Sequence, residues 1–242
     1  QKCLQTIFDS SVGRSTVNHP LGGRYQITPT EASVQKLPVQ SGFTNTASVI
    51  AQGFHPYLAE WSPYHGAAYA VIEATARLVA AGGEWSKARF SYQEYFERMD
   101  KKAERFGQPV SALLGSIEAQ IQLGLPSIGG KDSMSGTFEE LTVPPTLVAF
   151  GVTTADSRKV LSPEFKAVGE WIYYIPGPAL SQEIDFDTVK ANFTQFASLQ
   201  KEHKISAASA VKYGGVLESL ALMSLGNRIG AKVNLTDLST CL

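Results

Sequence analysis

The chain has 242 residues, of which 43% are hydrophobic and 18% charged, and its formal net charge is −1. That composition is ordinary for a globular protein of one large or two small domains. The balanced charge gives no electrostatic footprint for nucleic acid or a membrane surface, and no apolar run reaches the roughly 18 residues of a membrane-spanning helix.

Asp9 interrupts any apolar core near the N-terminus, so no signal peptide is read there. Cys3 and Cys241 lie at opposite ends of the sequence without a C-x-x-C pair, which predicts a reducing, cytoplasmic setting. The sequence has no initiator Met and begins and ends mid-pattern, as expected of a piece of a larger protein.

Residues 1–24 are rich in Ser, Gly, Asn and Pro and read as an irregular lead-in, with Arg14, His19 and Arg24 as loop groups able to meet an anion. Residues 25–39 alternate well enough for strand character, broken by Pro29, and 44–54 form a cleaner strand. Residues 63–81 predict a helix on which Ala67, Ala70, Val71, Ala74 and Leu78 recur at helical spacing before Gly82-Gly83. Glu73 falls within that apolar run, where a carboxylate is costly unless paired or metal-bound. Arg77, four residues on, is the simplest partner.

Residues 91–106 read as a charged helix with Tyr92, Tyr95, Phe96 and Met99 as its stripe and Gly107 as its cap. Pro109 then opens a helix whose apolar face is Val110, Leu113, Leu114, Ile117 and Ile121. Gly124 and Pro126 end it and deliver the chain to 127–136, S-I-G-G-K-D-S-M-S-G. The glycines free the backbone to approach an anion. Lys131 supplies a point cation, Asp132 a carboxylate for Mg²⁺ or a proton, and Ser133 a hydroxyl. It is not a Walker A loop, since Leu125 and Asp132 occupy positions that need Gly and Ser/Thr. Residue types alone leave two readings open, a phosphate-holding turn or an ordinary surface turn.

Residues 147–154 read as a strand buried on both faces. A polar stretch around Pro163 marks a boundary near residue 160, giving units 1–159 and 160–242. The second unit is expected to begin with a strand at 170–176, carry helices at 186–203 and 215–228, and end with a strand at 231–235. The fold class is therefore α/β (α+β).

The stretch S-I-G-G-K-D-S-M-S-G-T-F-E, followed by V-P-P-T-L-V-A-F-G-V-T-T-A-D, resembles phosphoribosylformylglycinamidine synthase, in its long single-chain bacterial form. The match is to that enzyme's second aminoimidazole ribonucleotide synthetase-like half, strongest over 109–176. The resemblance implies an N-terminal α/β domain packing sheet to sheet against its counterpart, and a truncated α+β C-terminal domain. It implies ATP or ADP held through Mg²⁺, with Gly129, Gly130, Lys131, Asp132 and Ser133 as the phosphate loop. By the same resemblance Glu31 falls where the family has an acidic residue on an early strand, Glu73 on its helical metal-binding Glu and Asp132 in the Gly-Lys-Asp loop, and these three would hold the metal.

Two departures qualify this. Arg77 stands where the family helix has Asn, and Lys212-Tyr213 where it has Ser-Asp, so a degenerate nucleotide site is expected. The implied partners are the remaining domains of the parent chain, including a glutaminase domain, with a small-molecule substrate and homodimerisation of the isolated piece. Neither cysteine has the surroundings of a glutaminase nucleophile, and His55 and His65 read as structural. The alternatives are a catalytically silent scaffold, or a stand-alone synthetase or small-molecule kinase of the same superfamily.

Overall fold

A computed structural model describes residues 15–178, 183–202 and 204–234; Arg14, Cys3 and Cys241 lie outside them. Strands β1 (Leu21–Gly22) and β2 (Thr28–Pro29) make a small ladder. The main sheet takes β3 (Ser33–Lys36), β4 (Thr46–Gly53), β5 (Arg89–Tyr95), β6 (Ser127–Lys131) and β9 (Thr146–Asp156), in the order β3-β4-β9-β5-β6. Strands β7 (Thr137–Phe138) and β8 (Leu141–Thr142) form a short hairpin between β6 and β9. All main-sheet pairs are antiparallel except β5 and β6.

Helices α1 (Pro56–Trp61), α2 (Pro63–Ala80) and α3 (Ala103–Leu123) follow one another along the chain, and α2 packs on β4 and β9. Strand β4 buries alternate residues, Ala47, Val49, Ala51 and Gly53, as a one-sided sheet requires. Gly53 admits α2 directly, since a Cβ there would lie 2.1 Å from the Ala70 carbonyl oxygen. The core between sheet and helices is built from Val34, Val49, Val71, Leu78, Phe90 and Phe96.

Several expectations change. The stretch 25–39 yields two short strands rather than one. Residues 91–106 are not a charged helix, because their first part is β5. The aromatic spacing fits both periods, but Phe90, Tyr92 and Glu94 alternate into the sheet's inner face, and pairing on both edges selects the strand. Helix α3 accordingly starts at Ala103, with Gly107 and Pro109 inside it.

The orientation of α3 is also reversed from the expected one. Ala112, Gly115, Ser116 and Ala119 face inward, while Val110, Leu113, Leu114, Ile117 and Ile121 are exposed. Small residues win the inner face because α2 and α3 approach closely: a Cβ on Gly115 would stand 2.0 Å from the Tyr64 carbonyl oxygen. Strand β9 is buried on one face only, with Phe150 on the outer side 37% exposed.

Beyond residue 160, helices α4 (Phe186–Lys201) and α5 (Gly215–Leu225) form as expected. The Asp185 side chain caps α4 by accepting from the Thr188 N–H at 2.9 Å. Phe186, Val189 and Phe193 of α4 join the main core, where Phe193 meets Trp85 with ring centroids 5.7 Å apart. Residues 170–176 and 231–234 are not strands, since neither pairs with another strand among the described residues; Leu235 lies outside them.

Candidate functional site

Two groups of chemistry-bearing residues sit at opposite edges of the sheet. Glu31 precedes the edge strand β3, and Lys131 ends the other edge strand, β6, with Asp132 directly after it. Four inter-strand steps of about 4.8 Å separate those edges by roughly 19 Å. The three expected metal ligands Glu31, Glu73 and Asp132 are thus divided two and one.

The first group is closed by its own charges. Glu31 is 3% exposed. Its Oε1 accepts from Ser209 Oγ at 2.7 Å and from Lys212 Nζ at 3.0 Å, and its Oε2 faces Arg77 Nε at 3.3 Å. Arg77 comes from the last turn of α2 and also donates to the backbone carbonyls of Glu31 (3.1 Å) and Gln52 (2.9 Å). Glu73, one turn earlier, lies 3.9 Å from Arg77 and accepts the Phe54 N–H. Burial raises the Glu73 pKa, opposed by the positive charge of Arg77 and by the Phe54 hydrogen bond. Two carboxylates face two cations, and both Glu31 oxygens are engaged. Hard Mg²⁺ takes carboxylate oxygens together with phosphates and waters, so this donor set does not fit it. Among the described residues no group of three or more His, Cys, Asp or Glu is placed to hold a metal ion.

Sequence reasoning flagged Arg77 and Lys212 but not Ser209, whose hydroxyl carries no spacing signal. Tyr213 turns away and packs edge-on against His55 (centroids 5.8 Å) and Tyr57 (6.0 Å). His55 caps α1, its Nδ1 accepting the Leu58 N–H at 3.1 Å, and His65 Nδ1 meets Ser62 Oγ at 2.7 Å at the start of α2.

The second group lies at the carboxyl ends of β5 and β6, the place where open α/β sheets present ligand sites. Gly129, Gly130 and Lys131 are part of β6 itself, and Asp132 and Ser133 follow it. Gly129 takes φ +156° where the register skips Ile128, a value that side chains disfavour. Gly130 lies flat on β5, since a Cβ there would sit 2.9 Å from the Tyr92 carbonyl oxygen. Ser133 continues the ladder, its N–H donating to the Glu94 carbonyl at 3.0 Å and its carbonyl accepting from Phe96 at 2.8 Å. Lys131 and Asp132 remain exposed.

Beneath Asp132 lies Glu94, 5% exposed, with Oε1 unpartnered among the described residues. Burial, aided by the Asp132 charge, pushes its pKa up to about 7. Reading 91–106 as a helix hid this residue, and strand alternation alone would have turned it inward.

No protein-family profile matches the chain. PurL, subunit of phosphoribosylformylglycinamidine synthase, from Picrophilus torridus is 27% identical over 247 residues, 96% of this chain and 32% of that protein. The chain is similar to a segment of PurL. The Pyrococcus furiosus PurL is 25% identical across 90% of the chain, and the Lacticaseibacillus paracasei PurL 27% identical across 77%. The chain spans about a third of the length of these relatives.

Solved PurL structures share the fold. The Thermotoga maritima PurL complexed with FGAR superposes with a TM-score of 0.60 at 17% identity, covering 91% of this chain and 32% of that one. The same protein complexed with ADP gives 0.60 at 17% identity over 84% and 30%. The mixed sheet backed by helices is therefore the PurL-type α/β architecture. Among the described residues, no helix is long and apolar enough to cross a membrane.

Proposed function

We propose that the chain is part of the second, structural synthetase half of a phosphoribosylformylglycinamidine synthase. That ligase of purine biosynthesis uses ATP and glutamine to convert formylglycinamide ribonucleotide to the formylglycinamidine. Similarity to PurL along nearly the whole chain supports the assignment. In the parent enzyme the amide oxygen would be phosphorylated and then displaced by ammonia from a glutaminase domain in the cytoplasm. Positioned donors elsewhere in the parent would stabilise the transferring phosphoryl group.

The observation that carries the structural role is the state of Glu31. Its two oxygens are committed to Arg77, Lys212 and Ser209, so they offer no open coordination for Mg²⁺ and a nucleotide. The intact Gly129-Gly130-Lys131-Asp132-Ser133 segment favours a second reading, a phosphate site that works without the Glu31 group. The outer face of the main sheet, where Ile50, Phe150 and Tyr95 are partly exposed, suits the other synthetase half or, in isolation, a second copy of the chain. Sedimentation showing a monomer at high concentration would remove the second copy.

Calorimetric titration with ADP, with and without Mg²⁺, tests the role. The structural half gives either no saturable heat or a weak Mg²⁺-independent binding that Lys131→Ala abolishes. Tight binding that requires Mg²⁺ would refute it.

A further inference from the structure

Helix α3 carries an apolar stripe that nothing among the described residues covers. Phe106, Val110, Leu113, Leu114, Ile117 and Ile121 are each between 41% and 72% exposed. Together they expose about three whole large side chains, roughly 500 Å² of apolar surface. Patches of that size lie toward the upper end of what a monomer leaves in water. Between Val110 and Ile121 the one charged residue is Glu118, to which the Tyr64 hydroxyl donates at 2.9 Å. The stripe shares no residue with the outer face of the main sheet, where Ile50, Phe150 and Tyr95 lie.

The two ends of the stripe differ in shape. At the C-terminal end Ile117, Ile121, Gly124 and Pro126 line an open groove of about 460 Å³. At the N-terminal end stands Phe106, half exposed. Along the helix, Phe106 is about 22 Å from Ile121, so it cannot reach the groove of its own chain. A second copy running antiparallel, with a two-fold axis at Leu113 and Leu114, brings each Phe106 to the groove of the other. Such an axis makes one patch complementary to itself.

The charges at the helix ends fit the same arrangement. Lys101 and Lys102 lie at the start of α3, where the helix dipole is positive, and its last turn holds no basic residue. That placement is unfavourable within one chain. In an antiparallel pair both lysines come beside the C-terminal carbonyls of the other copy, where cations are favoured. We propose that α3 is the contact of a two-fold dimer, in which a second copy of this chain packs its own α3 antiparallel across Leu113 and Leu114. A standard homodimer contact buries about 800 Å² per partner, about 65% of it apolar, and the stripe supplies nearly all of that apolar share. The contact does not depend on the role proposed for the Glu31 group or the Gly-Lys-Asp strand.

Sedimentation velocity of the chain over a range of concentrations reads the association, and the wild type should form a dimer. Leu114→Glu sets two carboxylates against each other at the axis and should weaken it about a hundredfold or more. Phe106→Ala leaves the groove unfilled and should weaken it about tenfold. Phe150→Glu leaves it unchanged, which tells association through α3 from association through the sheet. Circular dichroism shows whether Leu114→Glu is folded; if it is not, cross-linking decides. In a chain carrying Cys3→Ser and Cys241→Ser, Leu114→Cys should form a disulfide between copies under mild oxidation, and Ile121→Cys should not. An antiparallel two-fold axis brings only the residues near it against their own counterparts. A chain that stays monomeric, a dimer that survives Leu114→Glu or is lost in Phe150→Glu, or equal cross-linking at the two positions overturns the proposal.

Discussion

Glu94 makes stability depend on pH in a direction opposite to that of most carboxylates. Its ordinary pKa of 4.5 rises to about 7 in the folded chain. Below pH 4.5 it is protonated in both states and costs little. Between about pH 4.5 and 7 the unfolded chain releases the proton while the folded chain retains it. Stability therefore falls across that window and is fully diminished above it. At 1.36 kcal/mol per pKa unit the loss at this one residue is at most about 3 kcal/mol.

Glu94→Gln keeps the volume and removes the charge. Urea unfolding of both proteins at pH 4.5, 6, 7 and 8 isolates the effect, since the other carboxylates largely cancel in the difference. The variant should match the wild type at pH 4.5 and exceed it by about 2–3 kcal/mol at pH 8. A difference that does not change with pH, or a variant less stable at pH 8, would refute the burial argument.

The Glu31 group gives an asymmetric prediction. Glu31→Ala leaves Arg77 and Lys212 without their carboxylate and should cost about 3 kcal/mol, whereas Lys212→Met leaves Arg77 and Ser209 in place and should cost about 1 kcal/mol; equal losses in urea titrations would show that the group is not a unit. Gly115→Ala should lower stability by about 1–3 kcal/mol through overpacking, because its Cβ meets the Tyr64 carbonyl oxygen rather than a side chain that can move. Thermal unfolding checks this, and an unchanged melting temperature would mean that α2 and α3 can separate at little cost.

Elements whose periodicity had one meaning were legible in the sequence. The small-residue run of α2, with Gly82-Gly83 behind it, and the clean alternation of β4 left little choice. Residues 91–99 were ambiguous because aromatic side chains three and four apart also alternate by two, and only the neighbouring strands decide. In the candidate site, the added cations Arg77 and Lys212 were visible, and so was their consequence for a metal. What a sequence does not carry is distance. That Asp132 and Glu31 flank opposite edges of a five-stranded sheet follows from a strand order that local pattern does not encode.

Helix α3 separates two kinds of information onto opposite faces. Alanine, glycine and serine on the inner side set how near α2 it can lie, while the larger leucines and isoleucines point to water. Swapping the two sets would leave composition and helical propensity nearly unchanged, yet it would push the helices apart and empty the outer surface of its apolar area. The outward stripe thus adds little to the chain's own folding and gives any association through it a hydrophobic signature. Such association should strengthen with warming and with sulfate, and weaken in the cold.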